Sequence, residues 1–380
     1  MNEITLLLKD LVSIPSLNPM GRDMKGPEVY EHQLTDYLES FFKKQGVHCE
    51  RQVVAPRRAN IVARYECPGA ARTLLLEAHQ DTVPVDHMTI DPFAAQIQGD
   101  RLYGRGSCDV KGGMAAMLTA FARVVRERPS RGLNVIMACT VDEEHTFLGV
   151  QRLVQGKLRA DMAVVAEPTQ LGIVNAHKGV MRWHVFTSGR SCHTSAPEQG
   201  LNAIYAMAHI LSAIERYGTT LRGSRADPVL GPPTLSVGRI EGGTSANTVP
   251  DQCRIEVDRR LIPGEETTKI LGEFNHAIRE LVGTVPFTCS EPWLQSPALD
   301  SGGSEDLVAR LGRAINTVVG RHDVMAVPFG TDAASIAEAG IPTVVFGPGD
   351  IAQAHTADEW VSLEQVEKAA EILFQLAAEP

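Results

Sequence analysis

Four short and nearly continuous apolar segments constrain the fold of this chain more than any other feature of its sequence. They are Thr73–Ala78, Leu133–Cys139, Met162–Ala166 and Thr343–Phe346. Continuous rather than alternating hydrophobicity is typical of strands that are buried on both faces. Helical patterns lie between and after them, notably Met114–Arg126 and Leu363–Ala377. The sequence therefore predicts an α/β sheet that is covered by helices on both faces.

The stretch between residues 179 and 291 has a different pattern, in which the strands alternate between apolar and polar residues. Its predicted elements are a strand at Val180–Thr187, a helix at Leu201–Tyr217, strands at Thr234–Ile240 and Gln252–Leu261, a helix at Thr267–Leu281 and a strand at Val285–Cys289. This β-α-β-β-α-β order is that of ferredoxin-like domains, and the alternation implies a sheet with one open face. We therefore expect residues 179–291 to be inserted into a larger domain formed by residues 1–178 and 292–380.

The composition argues against several classes of partner. A net charge of −10 disfavours nucleic acid, because binding phosphates requires a basic surface. No segment approaches the roughly 20 apolar residues of a membrane helix, and the N-terminus lacks the basic start and long apolar core of a signal peptide. Seven scattered cysteines without a CxxC pair are typical of reduced thiols. We expect a soluble, cytoplasmic protein that binds neither nucleic acid nor a membrane.

Metal-ligand side chains follow three of the apolar segments. His79 follows the first, Asp142-Glu143-Glu144 comes shortly after the second, and Glu167 follows the third. A polar residue after one strand is ordinary, because loops are solvated. The carboxyl ends of parallel strands, however, gather at one edge of an α/β sheet. Three histidine or carboxylate groups at that edge predict a metal site or an acid–base site.

Asp109 lies in a glycine-rich segment, Gly104–Gly113, directly before a predicted helix. One interpretation is a helix N-cap, although Asp109 is several residues away from Met114. Another is a phosphate-binding loop, although the Walker pattern is absent and an aspartate repels phosphate unless a metal ion intervenes.

These segments together resemble the M20 metallopeptidase family. The resemblance covers essentially the whole chain and depends on four motifs in order: His79-x-Asp81-x-Val83-Pro84, Gly-Arg-Gly-x-x-Asp109-x-Lys-Gly-Gly, Asp-Glu143-Glu144 and Glu167-Pro168. It implies a zinc-peptidase-like α/β catalytic domain with an inserted ferredoxin-like α+β lid or dimerisation domain. It also implies a homodimer.

The resemblance implies two zinc ions, with Co²⁺ or Mn²⁺ as possible substitutes. The expected ligands are His79 and Glu167 for one ion, Glu144 and His355 for the other, and Asp109 as a bridge. The family pattern places His355 in the loop that follows Thr343–Phe346.

Two further residues of the same motifs receive roles from the resemblance. The carboxylate of Asp81 is expected to accept the other imidazole N–H of His79 and so to fix its tautomer. Glu143 is expected to be the general base of the reaction rather than a ligand.

Four residues are implied to contact the substrate. His193 would stabilise the oxyanion from the lid of a partner subunit, and Asn247 would point at the substrate. Arg260 in Asp258-Arg259-Arg260 would bind the substrate's carboxylate, while the neighbouring Arg259 should face the other side of its strand. Thr331 resembles part of the carboxylate pocket.

The resemblance implies hydrolysis of the amide bond of an N-acyl amino acid or a short peptide. Acetylornithine deacetylase and succinyl-diaminopimelate desuccinylase are the activities expected first. A metallocarboxypeptidase or dipeptidase that uses the same metal ligands is the alternative among enzymes. A non-catalytic binding protein that keeps the metal site is the alternative outside enzymes.

Overall fold

A computed structural model describes residues 1–156 and 158–378 of the chain. The helices are α1 Glu3–Ser13, α2 His32–Lys44, α3 Gly112–Glu127, α4 Leu148–Gln155, α5 Ala203–Ser224, α6 Thr267–Val282, α7 Glu305–Val319, α8 Ala333–Glu338 and α9 Leu363–Ala378. The strands are β1 Cys49–Ala55, β2 Arg58–Tyr65, β3 Thr73–His79, β4 Gln96–Gln98, β5 Arg101–Tyr103, β6 Asn134–Thr140, β7 Met162–Val165, β8 Ile173–His177, β9 Gly179–Ser188, β10 Thr234–Gly242, β11 Gln252–Leu261, β12 Thr288–Cys289, β13 Leu294–Ser296, β14 Val324–Val327, β15 Thr343–Val345 and β16 Trp360–Ser362. None of the helices in these described residues has the length and apolar content to cross a membrane.

The chain divides into two compact units. The larger unit contains Met1–Ala176, Asp300–Ala326 and the chain from Thr331 onward, and the smaller contains His177–Leu299 and Val327–Gly330. Helices and sheets are mixed along the chain, so the predicted α/β class is confirmed.

An eight-stranded sheet, in the order β1-β2-β6-β3-β7-β15-β8-β14, organises the larger unit. Its four central strands β6, β3, β7 and β15 are parallel to one another, whereas β1, β2 and β8 pair in antiparallel fashion. These central strands are the four apolar segments of the sequence. Their carboxyl ends consequently lie at one edge of the sheet.

The central strands are buried on both faces, as their composition predicts. Leu74 and Leu76 of β3 belong to a core that also contains Phe121 of α3 and Leu373 of α9. Leu75 points to the opposite face, because successive side chains of a strand alternate, and it is also fully buried. The strand interiors therefore pack the core, and chemistry is left to the residues at and after the ends of the strands.

The smaller unit contains an antiparallel sheet in the order β10-β11-β9-β12, and β13 also pairs with β9. Residues of β9 and β11 are alternately buried and partly exposed. The buried side chains, such as Trp183 and Ile255, pack with Met207 of α5 and Phe274 of α6. Both helices thus contribute to the core on one face of the sheet, and the other face carries partly exposed polar residues.

A short three-stranded sheet in the larger unit, β16-β5-β4, was not predicted from the sequence. Trp360 pairs with Tyr103, and Val361 pairs with Leu102. This pairing places the chain just before β16 next to the glycine-rich segment that follows β5. Residues near 359 and near 104 are therefore neighbours despite their separation in sequence.

Candidate metal centre

Two groups of metal-ligand side chains lie in the larger unit. One comprises His79, Asp109 and Glu167, and the other comprises Asp109, Glu144 and His355; the ligand atoms of each group all lie within 4.8 Å of one another. Asp109 belongs to both. Its Oδ1 is 3.1 Å from Nε2 of His79, and its Oδ2 is 3.2 Å from Nε2 of His355. One carboxylate thus joins two adjoining sets of donors.

The parallel strands explain how four of these residues come together. His79 is the last residue of β3, and Glu167 comes two residues after the end of β7. Glu144 follows β6 by four residues, and His355 lies in the loop that follows β15. Because β6, β3, β7 and β15 are neighbours with the same direction, their following loops meet at one edge.

The fifth residue, Asp109, comes from the irregular segment Ser107–Lys111 that precedes α3. Its backbone is extended, with φ −118° and ψ 90°, and its peptide bond to Val110 is cis. Gly113 permits the start of α3 to approach this edge, since a Cβ there would lie 2.9 Å from the Cβ of Ala166. No side chain among residues 1–156 and 158–378 caps the N-terminus of α3. The interpretation of Asp109 as its N-cap is therefore wrong.

The orientation of His79 is set by a main-chain group. Its Nδ1 lies 2.9 Å from the carbonyl oxygen of Asp81, whereas the Asp81 carboxylate is 3.7 Å away. The prediction that this carboxylate accepts the imidazole proton is therefore wrong, because 3.7 Å exceeds hydrogen-bond distance. The carbonyl oxygen can only accept, so Nδ1 carries a proton; Nε2 then donates to Asp109 when the ring is protonated and offers its lone pair to a metal ion when the ring is neutral.

The Asp81 carboxylate is instead turned toward the segment that contains Glu143 and Glu144. Its Oδ1 accepts the backbone N–H of Glu143 at 3.1 Å, and its Oδ2 accepts that of Glu144 at 3.2 Å. The side-chain amide of Asn18 also donates to Oδ2, at 2.8 Å. Asp81 is fully buried, so these bonds satisfy a charge that is shielded from solvent. Its carboxylate thus fixes the main chain of both glutamates.

A buried ion network supports the same segment from Asp142. Its Oδ1 accepts from Nη1 of Arg58 at 2.6 Å and from the amide of Asn18 at 2.9 Å. Arg58 is also paired with Glu31, whose side chain is fully buried. Asp142 has a left-handed φ of 68°, a conformation that aspartate adopts more readily than most residues. Sequence reasoning missed Asn18, Glu31 and Arg58, since no motif marks them.

The carboxylates of the centre are buried and repel one another. Burial, followed by repulsion from Asp109, raises the pKa of Glu144 to about 7 and the pKa of Glu167 well above its usual value. Burial also opposes ionisation of Asp109, yet its pKa is lowered because His355 and His79 hydrogen-bond to it. Contacts with Asp109 and Glu144 raise the pKa of His355 to about 11. The centre therefore stabilises added positive charge, whether protons or metal ions.

The donor set fits divalent metal ions. Three carboxylates and two imidazoles are the ligand types that zinc takes in hydrolases. The Oε1 atom of Glu144 is buried and has no hydrogen-bond partner within residues 1–156 and 158–378, so it is a donor left over for a cation. Glu143 belongs to neither of the two ligand groups found among these residues, although it adjoins Glu144. Its carboxyl group is desolvated, which raises its pKa well above the usual value.

In the smaller unit, the structure brings His193 and Asn247 onto neighbouring loops. The N–H of Thr194 donates to the carbonyl oxygen of Asn247 at 3.2 Å, and His193 forms a β-bridge with Thr248. The backbone N–H of Ser195 donates to Nδ1 of His193 at 3.1 Å. Nδ1 is thus an acceptor, so the proton of the neutral ring is on Nε2. The exposed imidazole presents an N–H donor.

Arg260 lies on the partly exposed face of the smaller unit's sheet, where its Nε donates to Oδ1 of Asp258 at 2.8 Å. Nε of Arg182 donates to the other oxygen of Asp258 at 2.7 Å. Arg259 faces the opposite way, as predicted, and is buried against Glu265. Thr331 belongs to the larger unit and is fully buried. Its hydroxyl accepts the N–H of Ala333 at the start of α8.

Two donor sets that share one aspartate at the edge of a parallel sheet could hold metal ions, and such an arrangement is the kind that metal-dependent hydrolases use. The sequence profile of peptidase family M20/M25/M40 matches residues 75–379 of this chain. The chain belongs to this family and is a hydrolytic enzyme that acts on amide bonds.

Individual relatives agree with this assignment. An acetylornithine deacetylase from Myxococcus xanthus is 33% identical over 353 residues, which cover 91% of each chain. The M20 family metallo-carboxypeptidase Sso-CP2 from Sulfolobus solfataricus has a TM-score of 0.82 at 19% identity and covers 100% of this chain and 99% of its own. The YXEP protein of Bacillus subtilis, a dinuclear metal binding peptidase from the M20 family, has a TM-score of 0.70 at 17% identity over 99% and 96% of the two chains. Both solved structures share the fold of this chain.

Proposed function

We propose that this enzyme uses two zinc ions to hydrolyse the amide bond of N-acyl amino acids, with N-acetylornithine as the first expected substrate. The observation that carries the two-metal centre is the Asp109 carboxylate, whose two oxygens each approach a different histidine. The preference for an N-acyl amino acid is supported by the relatives at about 30% identity, which are named acetylornithine deacetylase.

The ligands divide between the two ions as the two donor groups do. His79 and Glu167 would hold one ion, Glu144 and His355 would hold the other, and Asp109 would be a ligand of both. Two bound zinc ions would polarise the carbonyl group of the amide and lower the pKa of the attacking water. Three carboxylates would neutralise most of the charge of two divalent ions, which favours burial of the ions.

Glu143 is the general base of this proposal. It is not needed as a ligand, because each donor group is complete without it. The Asp81 carboxylate accepts the backbone N–H groups of Glu143 and Glu144, which fixes the main-chain position of Glu143 beside Glu144. The carboxylate takes a proton from water and passes it to the departing amine, which contributes about 10²–10⁴-fold to the rate.

Residues of the smaller unit would recognise the substrate. His193 presents Nε2–H as a donor, which suits stabilisation of an oxyanion in the site of a partner subunit. Asn247, on the neighbouring loop, supplies an amide to the same region. Arg260 offers the planar guanidinium that binds a carboxylate best. We infer a homodimer on this basis. Thr331 stays a proposed part of the carboxylate pocket, and its hydroxyl accepts the N–H of Ala333.

A metallocarboxypeptidase or dipeptidase is the second candidate, supported by the similarity in fold to Sso-CP2. Turnover of N-acetylornithine, N-succinyl-diaminopimelate and a panel of dipeptides by the zinc-loaded enzyme separates the two. We expect the acylated amino acids to be cleaved faster. Cleavage of dipeptides alone would show that the deacylase proposal is wrong, while hydrolysis of amides would still hold.

The role of Glu143 is tested with Glu143→Gln, and Glu50→Gln, on the exposed surface of β1, is the matched control. We expect Glu143→Gln to lose about 10²–10⁴-fold in kcat and to retain both zinc ions. The control Glu50→Gln should keep both its kcat and its zinc ions. Unchanged turnover by Glu143→Gln would mean that another group is the base. A protein that binds no zinc would contradict the metal centre itself.

A further inference from the structure

Glu359 is a fully buried carboxylate that the catalytic proposal does not use. Its Oε2 accepts from Nη1 of Arg105 at 2.6 Å and from the N–H of Gly106 at 3.0 Å. Its Oε1 accepts from the N–H of Cys108 at 2.9 Å and from the N–H of Asp109 at 3.1 Å. The side chain is 0% exposed. One buried anion thus satisfies three backbone donors of a single loop and one guanidinium.

The loop that Glu359 holds is the one that presents Asp109. This segment lacks regular helical backbone at Asp109 and Val110. Gly106 adopts a left-handed φ of 79°, which turns successive N–H groups toward one side and forms a concave anion-binding site. Glu359 fills this site from within the protein. The path of the backbone into Asp109 is therefore determined by a side chain about 250 residues away in sequence.

Glu359 also lies four residues after His355, directly before β16. Its carbonyl oxygen accepts the N–H of Gly104 at 3.0 Å, and the pairing of β16 with β5 follows directly. The residue therefore connects the segment of His355 to both ends of the Asp109 loop. A change in its side chain would alter the position of Asp109 relative to His355, whose Nε2 lies 3.2 Å from Oδ2.

We propose that Glu359 is a positioning residue of the metal centre, which holds the main chain of Asp109 so that its two carboxylate oxygens face the two donor groups. It acts through Asp109 and touches neither the metal ions nor the substrate. This inference rests on the proposed two-metal function. Groups that orient metal ligands in this indirect way typically change metal affinity by 10–100-fold when they are removed.

The test measures metal binding apart from activity. Glu359→Gln keeps the size of the side chain but replaces one accepting oxygen with an NH₂ group. This group cannot accept the hydrogen bonds that the backbone N–H groups and Arg105 donate to Glu359. Asp100→Asn is the matched control, because the Asp100 carboxylate accepts the N–H of Glu364 at 2.9 Å and the hydroxyl of Ser362 at 2.5 Å, next to β5 and β16. It is exposed and contacts neither Asp109 nor His355 in any hydrogen bond of the described chain.

Co²⁺ is titrated into the metal-depleted full-length proteins, and its visible absorption reports occupancy and coordination. We expect Glu359→Gln to bind Co²⁺ about 10–100-fold more weakly than the wild type, with an altered absorption spectrum. Asp100→Asn should bind Co²⁺ like the wild type while its urea unfolding midpoint falls, because the substitution weakens a helix cap. Urea unfolding of all three metal-depleted proteins measures the stability separately.

Two results would overturn the inference or its basis, and they are distinguishable. Co²⁺ affinity that is unchanged in Glu359→Gln, with only a lower unfolding free energy, would make Glu359 a structural residue alone. A wild type that binds no pair of Co²⁺ ions would instead contradict the proposed function. Where Glu359→Gln does not fold, Glu359→Asp, which keeps the charge on a shorter side chain, is judged by the same tenfold criterion.

Discussion

Replacing Arg58 with methionine tests whether the buried ion network beneath the centre stabilises the larger unit. Arg58 is 8% exposed at its side chain, and its two carboxylate partners, Glu31 and Asp142, are 0% and 1% exposed. Its guanidinium donates to both oxygens of Glu31 and to Oδ1 of Asp142. Methionine fills much of the volume but leaves two buried carboxylates without their cation.

The expected loss follows from this geometry. Breaking a buried ion pair by removing one partner costs about 3–5 kcal/mol, since the remaining charge has neither solvent nor counterion. A typical protein has only about 5–15 kcal/mol of unfolding free energy, so the loss is a large fraction of the total. Arg72→Met is the control, because Arg72 pairs with Asp306 at 2.9 Å on the surface, with side chains 37% and 61% exposed. That exposed pair should contribute less than about 1 kcal/mol.

Urea unfolding of the metal-depleted proteins, followed by circular dichroism, measures both substitutions under the same conditions. The double variant Glu31→Gln/Arg58→Met should be more stable than Arg58→Met alone, because it removes one of the two unpaired charges. Arg58→Met that is no more destabilising than Arg72→Met would refute the argument from burial. A double variant that is less stable than the single one would show that charge is not the cause.

Three further predictions concern the centre and the smaller unit. Asp81→Asn leaves one backbone N–H, of Glu143 or Glu144, without an acceptor. We expect a loss of about 1–3 kcal/mol in unfolding free energy and a lower kcat at similar KM. An unchanged kcat in steady-state kinetics would contradict this prediction. Chelation of the metals should lower the melting temperature, because each ion, at 1,000 times its Kd, adds about 4 kcal/mol to the unfolding free energy, or about 8 kcal/mol for two ions; differential scanning calorimetry after re-addition of Zn²⁺, Co²⁺ or Mn²⁺ should show recovery. Burial lowers the pKa of His177 to about 4, so as pH falls from about 6.5 to about 4 the unfolded chain binds a proton that the folded protein does not, and stability is lost. The wild type should lose about 3 kcal/mol more than His177→Gln across this range in urea unfolding, and equal losses would contradict the prediction.

The apolar segments and the motif residues illustrate what could be read from the chain directly. β3, β6, β7 and β15 begin and end within a residue or two of their apolar segments, because a strand buried on both faces is apolar over nearly its whole length. The loops that follow these strands were expected to meet, since parallel strands share an edge. The roles of Glu143 as base and of Arg260 in binding a carboxylate stay predictions.

The interactions of Asp81 and Thr331 could not be predicted in the same way. The sequence places Asp81 near His79, but the structure turns its carboxylate to the backbone of Glu143 and Glu144 and uses its carbonyl oxygen for the imidazole. The hydroxyl of Thr331 faces the start of α8. Spacing along the chain fixes which residues are near one another, and it does not fix which atom of a residue makes a contact.

The sequence by itself determined the α/β class and the family, and its resemblance to that family predicted the set of residues that could bind metal, because burial of strands and ligand chemistry are local properties of the residues. Only the tertiary structure decided that Glu359 holds the Asp109 loop and that Arg58 joins Glu31 to Asp142. The type of a charged residue does not show whether its side chain is buried or exposed. Its environment depends on chain segments that are hundreds of residues away, and these come together only when the strands pair.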